Sequence, residues 1–498
     1  MYKFFQKYAL FFLIILAIAV RMPLLNGSFW LDEAAQMLES ARPFSEQLNI
    51  AKDFQPPLFH YLIFFAMRIN ANECFVRLVG ALIPGVLTVL VTYLFTRKLW
   101  GTTTAVLTTA LVATSSFHVY FSQELRPYSL AALWGLLSSY LLLRICTENG
   151  KKIILQTFFV LVTIAGLYTM YLYPFVLFAQ LVSVCVVYTK KIKAVLALSA
   201  AGLLALVPWL PFFLTQLQVG QQLRIDLPGW GGVVGTPFIK SLPLTMGKFL
   251  YGVLNIEFTV WYLVPVILLL VSLFMQRKAI NLAFKDKNTL FALMLFCVTL
   301  GAAWLVSGII PVLQPKRALV LLPIFYGLIV HFLVVKRTFG RAVFILLLGI
   351  QLTALSAYWT TPQLQRENWR SLHQTIITQY PSNTVVVFAF PDSFAPWDWY
   401  DAGRTPQVVT SYTTQLDLNQ LEQELKRVTE YDYVLVFDYL RDLTDPERKV
   451  EQSLHNLGFA EREKIDGGSI GFVRVFSRRA AVLSYVLEST DHDALSRY

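Results

Sequence analysis

The chain has 498 residues, 56% of them hydrophobic and 15% charged, with a mean hydropathy of +0.55. A soluble protein is about one-quarter charged, so this composition excludes an ordinary soluble domain and reads as a membrane protein. The net charge of +11 is unevenly divided: residues 1–359 carry 28 Lys+Arg against 11 Asp+Glu, and residues 360–498 carry 14 against 20. The basic excess therefore belongs to the loops of an apolar part, and nothing in it points to nucleic acid. Four cysteines and six histidines are scattered without a CxxC or a clustered His/Cys spacing, so neither a disulfide framework nor a His/Cys zinc site is predicted, and a divalent metal stays possible only on carboxylates.

Lys3 and Lys7 precede the first apolar run, as in a signal peptide. No small-residue cleavage site precedes the Arg21–Pro23 stretch, so a retained first helix is expected. Apolar segments long enough for a bilayer core of ~30 Å recur at 8–25, 76–96, 103–121, 128–145, 153–171, 174–189, 194–214, 258–275, 289–310, 318–335 and 342–359. The shorter run Leu58 to Met67 follows Pro56-Pro57 and is expected as an interfacial helix. With the N-terminus inside, every inner connection is basic: Arg97 and Lys98; Arg144, Lys151 and Lys152; Lys190, Lys191 and Lys193; Arg277, Lys278, Lys285 and Lys287; Lys336, Arg337 and Arg341. The outer side then holds Asp32, Glu33, Asp53, Glu73, Glu124, Asp226 and Glu257. About 11 crossings leave the C-terminal residues outside.

Two domains are expected, a transmembrane domain over 1–359 with a first external loop at 26–75, and an extracytoplasmic α/β domain over 360–498. In the latter, 384–390, 432–439 and 470–477 read as strands, while 416–428 and 446–459 show helical spacing, the second closing at Gly458. The stretch from Thr215 to Glu257 is punctuated by Gly and Pro and reads as a mobile loop or lid.

The segment FWLDEAAQMLES, Phe29 to Ser40, carries the acid pair Asp32 and Glu33 just beyond the first apolar run. Carboxylates beside a membrane need a reason. A structural one is a short interfacial helix capped by Ser28, with both acids in its first turn and Leu31, Ala34, Ala35 and Leu38 as its apolar stripe. A catalytic one is general acid–base work. Other polar groups share the outer face: His60 in QPPLFHY, Glu124, Arg126 and Tyr128 in SQELRPY, and Lys316 and Arg317 in QPKR. Taken singly, Arg126 reads as a snorkelling residue, Lys316 and Arg317 as interfacial anchors, and His60 as a satisfied amphipathic-helix residue. Arg21, inside the first apolar run, needs a partner. Taken together, cations suit a lipid phosphate and a carboxylate suits a hydroxyl to be deprotonated. A sugar leaving from phosphate needs charge stabilisation but no strong general acid, unlike glycoside hydrolysis.

In order, WLDEAAQ, QPPLFHYLI, FVRLVGALIPGVLTVLVTYLFTRKLWG, SQELRPYSLAAL and QPKRALVLLPIF resemble the bacterial branch of the dolichyl-phosphate-mannose–protein mannosyltransferase superfamily (glycosyltransferase family 39), related to the aminoarabinose transferases. The resemblance covers most of residues 1–335. It implies a polytopic α-helical membrane protein of GT-C type, a polyprenyl-phosphate-linked monosaccharide donor, and inversion at the anomeric carbon. It implies Asp32 as the base, with Glu33 assisting the acceptor, and Arg126, Tyr128, Lys316 and Arg317 facing the donor phosphate. His60, Glu124 and Arg21 are further candidates for substrate contact. His60 stands where the family usually has an aromatic. The C-terminal residues do not resemble the β-trefoil domain of the eukaryotic enzymes, which leaves the acceptor open.

The expected function is transfer of a monosaccharide to a hydroxyl on the extracytoplasmic face of the plasma (inner) membrane. A lipid-linked glycan flippase is the rival from another class, and it predicts polar residues along helix interiors. An oligosaccharyl or polymerising transferase is a third, for which an amide acceptor implies a divalent metal on dispersed carboxylates such as Asp32, Glu33, Glu124 and Glu257. WDWYDAG, Trp397 to Gly403, reads either as a glycan contact or as a packed loop.

Overall fold

The computed structural model describes residues 2–51, 53–148, 153–226, 235–255, 260–275, 284–334, 338–380, 383–410 and 418–478. Packing divides the chain into two compact units. The first comprises Met1–Asn26, Glu39–Val219 and Gly235–Gln365; the second comprises Gly27–Leu38, Gly220–Val234 and Arg366–Tyr498. The acid pair at 32–33 thus groups with the C-terminal residues.

The first unit is helical. It opens with α1 (Tyr2–Ala19) and continues, beyond the start of α2 (Leu31–Ala41), through α3 (Leu58–Ile69) and α4 (Glu73–Trp100). Among the described residues, Glu73–Trp100, Tyr128–Thr147, Thr189–Leu223, Lys287–Val306 and Gly340–Thr360 are long and apolar enough to cross a membrane. Shorter apolar helices include Tyr8–Ala19, Thr102–Thr114, Ile153–Leu167, Tyr173–Val187, Tyr262–Ser272 and Arg317–Leu333. Each predicted apolar segment overlaps one of these helices. In α4 the hydroxyls of Thr88, Thr92 and Thr96 donate to the carbonyls four residues back, at 2.9, 2.7 and 2.6 Å. Polar groups inside an apolar phase must be satisfied locally, and these are. Gly101, at φ +86°, ends α4 and turns the chain into Thr102–Thr114, which packs along α4 together with Tyr128–Thr147. Tyr173–Val187 packs along Lys287–Val306.

Three expectations are corrected here. The predicted helix 103–121 breaks at Ser115, whose extended backbone separates Thr102–Thr114 from Ser116–Phe121. The stretch read as a lid contains the helix Phe238–Tyr251 with Pro243 inside it. Ser241, Thr245 and Phe249 are buried at four-residue spacing there, a helical stripe too short to register as a span. The first part of that stretch, 215–226, ends the helix Leu210–Asp226, while 227–234 and 256–257 lie outside the described residues, as do the inner basic residues Lys151, Lys152, Arg277, Lys278, Lys336 and Arg337. Finally, α1 ends at Ala19, so Arg21 sits in the following turn and not inside the helix.

The second unit holds a five-stranded sheet of order β2-β1-β3-β5-β4. Its strands are β1 (Thr384–Phe388), β2 (Gln407–Val409), β3 (Tyr433–Phe437), β4 (Phe459–Asp466) and β5 (Phe472–Arg478). β1 is parallel to β2 and β3, with Val386 opposite Leu435; β5 is antiparallel to β3 and β4, with Leu435 opposite Val475. The runs VVVF and VLVF are buried throughout, as a covered parallel pair requires. β4 was not anticipated: FAEREKID is charged along an edge, without the apolar run that marks the central strands. Gly458 is left-handed at φ +88° and closes Lys449–Asn456, as its position suggested.

One face of the sheet packs Trp369, Phe394, Trp397 and Phe437 into a single core. Trp397 is fully buried. Truncating it, Trp397→Ala, should destabilise the protein by about 3–5 kcal/mol, read as a lowered thermal midpoint of the detergent-solubilised protein.

Candidate active site

In the first unit three segments meet around Asp53. The end of α2 contributes Glu39, the loop before α3 contributes Asp53 and Gln55, and the first turn of α3 contributes His60. Gln47 is buried and fixes the end of α2: its side-chain amide lies 3.2, 3.3 and 2.9 Å from the carbonyls of Glu39, Ser40 and Arg42. Gln216 fixes the loop in the same way, with its amide 2.8, 2.7 and 3.1 Å from the carbonyls of Ile50, Asp53 and Gln55. Tyr171 donates its hydroxyl to the Gln216 side-chain oxygen, and Trp209 Nε1 donates to that hydroxyl at 3.0 Å. Gln216→Leu keeps roughly the size and removes all four contacts. It should cost about 1–3 kcal/mol of stability and speed amide exchange around Asp53, measured by mass spectrometry.

The Asp53 carboxylate bridges two groups. Arg126 Nη2 donates to its Oδ1 at 3.1 Å, and His60 Nε2 lies 3.1 Å from its Oδ2. Burial acts to raise the Asp53 pKa, but Arg126 and His60 outweigh it and hold the carboxyl well below the usual range. Glu39 goes the other way. Burial and the neighbouring Asp53 charge push it up to about 8, despite Arg126 and Arg42. Fully buried His60 sits between them, its Nδ1 3.7 Å from Glu39 Oε2.

The cations expected to face a phosphate do gather. Arg317 lies within electrostatic reach of Arg126 and Asp53, and it donates to the Pro311 carbonyl at 2.9 Å. The Lys316 ammonium stands 5.5 Å from the centre of the Tyr128 ring. Tyr128 is buried and opens its helix directly after Pro127. Glu124 is buried two residues before Arg126, and its carbonyl accepts the Arg126 amide at 2.7 Å. Arg21 is used elsewhere: it donates to the carbonyls of Ala17 at 2.8 Å and Ala113 at 3.0 Å, and it meets His118 Nδ1 at 2.7 Å. These acceptors take up the terminal N–H groups of the buried guanidinium, and its Nε has no hydrogen-bond partner among the described residues.

Asp32 and Glu33 occupy the first turn of α2, within the second unit. The helix starts at Leu31 and its first turn closes on the Trp30 carbonyl, so Ser28 is not its cap. Ser28 Oγ instead accepts the Arg370 amide at 3.0 Å, and Phe29 donates its amide to Tyr400 at 2.8 Å. Of the anticipated apolar stripe Ala34 is buried, but Leu31, Ala35 and Leu38 are half-exposed, and Glu33, Gln36, Met37 and Ser40 are buried instead. Glu367 supplies the anchor that sequence reasoning missed. Its carboxylate accepts from Trp369 Nε1 at 2.6 Å, from the Tyr439 hydroxyl at 2.7 Å and from the Leu31 amide. Burial raises its pKa, and the Asp32 charge adds to that. Of WDWYDAG, Trp397 fills the core, Trp399 packs edge-on to Phe29 at 5.8 Å, and Tyr400 holds Phe29. That motif is packing around the acid-pair segment.

The model of the dolichyl-phosphate-mannose-protein mannosyltransferase family matches residues 54–213. This interval includes His60, Glu124, Arg126 and Tyr128, and leaves out Asp32, Glu33, Lys316 and Arg317. ArnT from Cupriavidus metallidurans bound to undecaprenyl phosphate superposes with a TM-score of 0.54 at 12% identity, covering 94% of this chain and 98% of that one. Apo ArnT from the same organism gives 0.53 at 11%, covering 93% and 97%. AglB, the oligosaccharyltransferase of Archaeoglobus fulgidus in complex with an inhibitory peptide and a dolichol-phosphate, gives 0.51 at 13%, covering 94% and 74%. The fold is GT-C. No curated protein is a significant sequence match. The GT-C chain is a multi-pass membrane protein, and the model that matches residues 54–213 is that of the mannosyltransferase family expected from its motifs.

Proposed function

We propose that the chain is an integral-membrane glycosyltransferase that moves one sugar from a polyprenyl-phosphate donor to a hydroxyl acceptor. The observation that carries this reading is the gathering of Arg126, Lys316 and Arg317 around Tyr128 and Asp53. Preformed cations on rigid helix ends suit a phosphate monoester or diester. A protein of the same fold was solved with undecaprenyl phosphate bound, which supports a lipid phosphate as the ligand.

In this mechanism the acceptor oxygen attacks the anomeric carbon from the face opposite the phosphate. The bond from carbon to phosphate oxygen breaks, and polyprenyl phosphate leaves with the electron pair. The cations offset its charge and the configuration inverts. Asp32 takes the proton of the hydroxyl, and Glu33 supports acceptor binding. The basic inner loops favour a cytoplasmic N-terminus and an extracytoplasmic site in the inner membrane. There, soluble nucleotide sugars are absent and a lipid donor is needed.

The test uses purified protein in liposomes, with a polyprenyl-phosphate hexose or pentose and an extract of envelope acceptors. Release of free polyprenyl phosphate, dependent on acceptor, is expected; a nucleotide sugar should release nothing. Movement of the intact donor between leaflets without bond cleavage would instead support a flippase. Activity only with a pyrophosphate-linked oligosaccharide would support an oligosaccharyltransferase.

A further inference from the structure

We infer that Glu39, Asp53 and His60 form a binding site for one first-row divalent cation, Zn²⁺ or Mn²⁺. The sequence offers no metal-ligand spacing, because 39, 53 and 60 lie on three separate elements. In the fold, one ligand atom from each lies within 4.8 Å of the others. The edge from His60 Nε2 to Asp53 Oδ2 is 3.1 Å. A tetrahedral ion with bonds near 2.0–2.1 Å has ligand edges of about 3.3 Å; the edge between His60 and Asp53 is already that short, and the Glu39 carboxylate, 3.7 Å from the other ring nitrogen of His60, would turn in to close the set.

The chemistry of the set agrees. Imidazole nitrogen and carboxylate oxygen both ligate zinc, and carboxylate oxygen suits manganese. His60 is fully buried, and the Glu39 and Asp53 side chains beside it are 18% and 11% exposed. Oε2 of Glu39 is itself buried and accepts no hydrogen bond among the described residues. A carboxylate oxygen left that way is costly unless a cation or a shared proton satisfies it. Arg126 holds the outer oxygen of Asp53, as a supporting residue around a metal ligand does; the Gln55 amide donates to the inner oxygen and lies 3.1 Å from His60 Nε2, and it is the group that an entering ion would displace. Gln47 and Gln216 hold the backbones of the ligand-bearing segments. The cation would tie the end of α2 and the loop at Asp53 to α3. This inference is independent of the glycosyl-transfer reading.

The experiment uses the full chain in detergent with any affinity tag removed, stripped with EDTA and dialysed. ZnCl₂ and MnCl₂ are then titrated separately, with bound metal counted by inductively coupled plasma mass spectrometry and stability followed by thermal shift. One equivalent per chain, with a raised thermal midpoint for the better ion, is expected. Glu39→Gln and His60→Asn should each weaken that binding by at least about 100-fold, with Glu39→Gln keeping the metal-free midpoint. Sub-stoichiometric binding of both ions, or affinity unchanged in both variants, would overturn the site. The carboxyl pair would then simply share a proton.

Discussion

Replacing Asp32 by Asn is expected to lower the rate of sugar transfer by about 10²–10⁴-fold, the usual contribution of a general base. Asn keeps the size and much of the hydrogen bonding of Asp, so the first turn of α2 should form as before. What disappears is the group proposed to take the acceptor proton. The backbone around it is well anchored, because Glu367 accepts the Leu31 amide and Tyr400 accepts the Phe29 amide. A helix N-terminus also favours an anion at that point. The measurement is single-turnover release of polyprenyl phosphate, alongside the thermal midpoint. Near-normal turnover in the variant would remove Asp32 from the mechanism. Glu33→Gln is the companion: Glu33 is fully buried, so its loss should act on acceptor KM and stability together.

The second large effect is at Arg126. Arg126→Met should raise the donor KM by about 10–100-fold, the worth of a charge-assisted hydrogen bond of 1.5–3 kcal/mol. It should also destabilise the protein by about 3–5 kcal/mol, because it leaves the Asp53 carboxylate enclosed without its countercharge. These two consequences separate in a double variant. Adding Asp53→Asn removes the stranded charge and should restore much of the stability, while the donor KM stays high. If the double variant recovers both, Arg126 serves only to neutralise Asp53, and the phosphate-binding assignment fails. If neither single nor double variant changes KM, Lys316 and Arg317 alone remain as phosphate ligands.

Arg126, Tyr128, Lys316 and Arg317 were legible in the chain because each sits in a short polar interruption next to a long apolar run. That placement leaves few positions for a charged side chain in a membrane protein. Glu39, Gln216 and Glu367 were not legible. Each is a single polar residue whose partners are carbonyls, carboxylates or amides from distant segments, and no local pattern announces such a partner. The only trace of Gln216 is the polar end TQLQVGQQ of an otherwise apolar helix. Asp53 and His60 flank the PPL turn, yet their meeting with Glu39 depends on how the loop is held by Gln216.

By itself the sequence determined the membrane class, the positions of the apolar helices, and the strands at 384–388, 433–437 and 472–478. These follow from local hydrophobic runs, which burial converts directly into elements. Tertiary structure decided the break at Ser115, the helix Phe238–Tyr251 and the charged edge strand β4, where local preference is weak and packing chooses. It also decided where WLDE belongs. Read along the chain, that segment is part of an external loop of the membrane domain. In the fold it is grouped with the C-terminal α/β unit, because Glu367, Arg370 and Tyr400 satisfy its backbone and Ser28, and Trp399 covers Phe29.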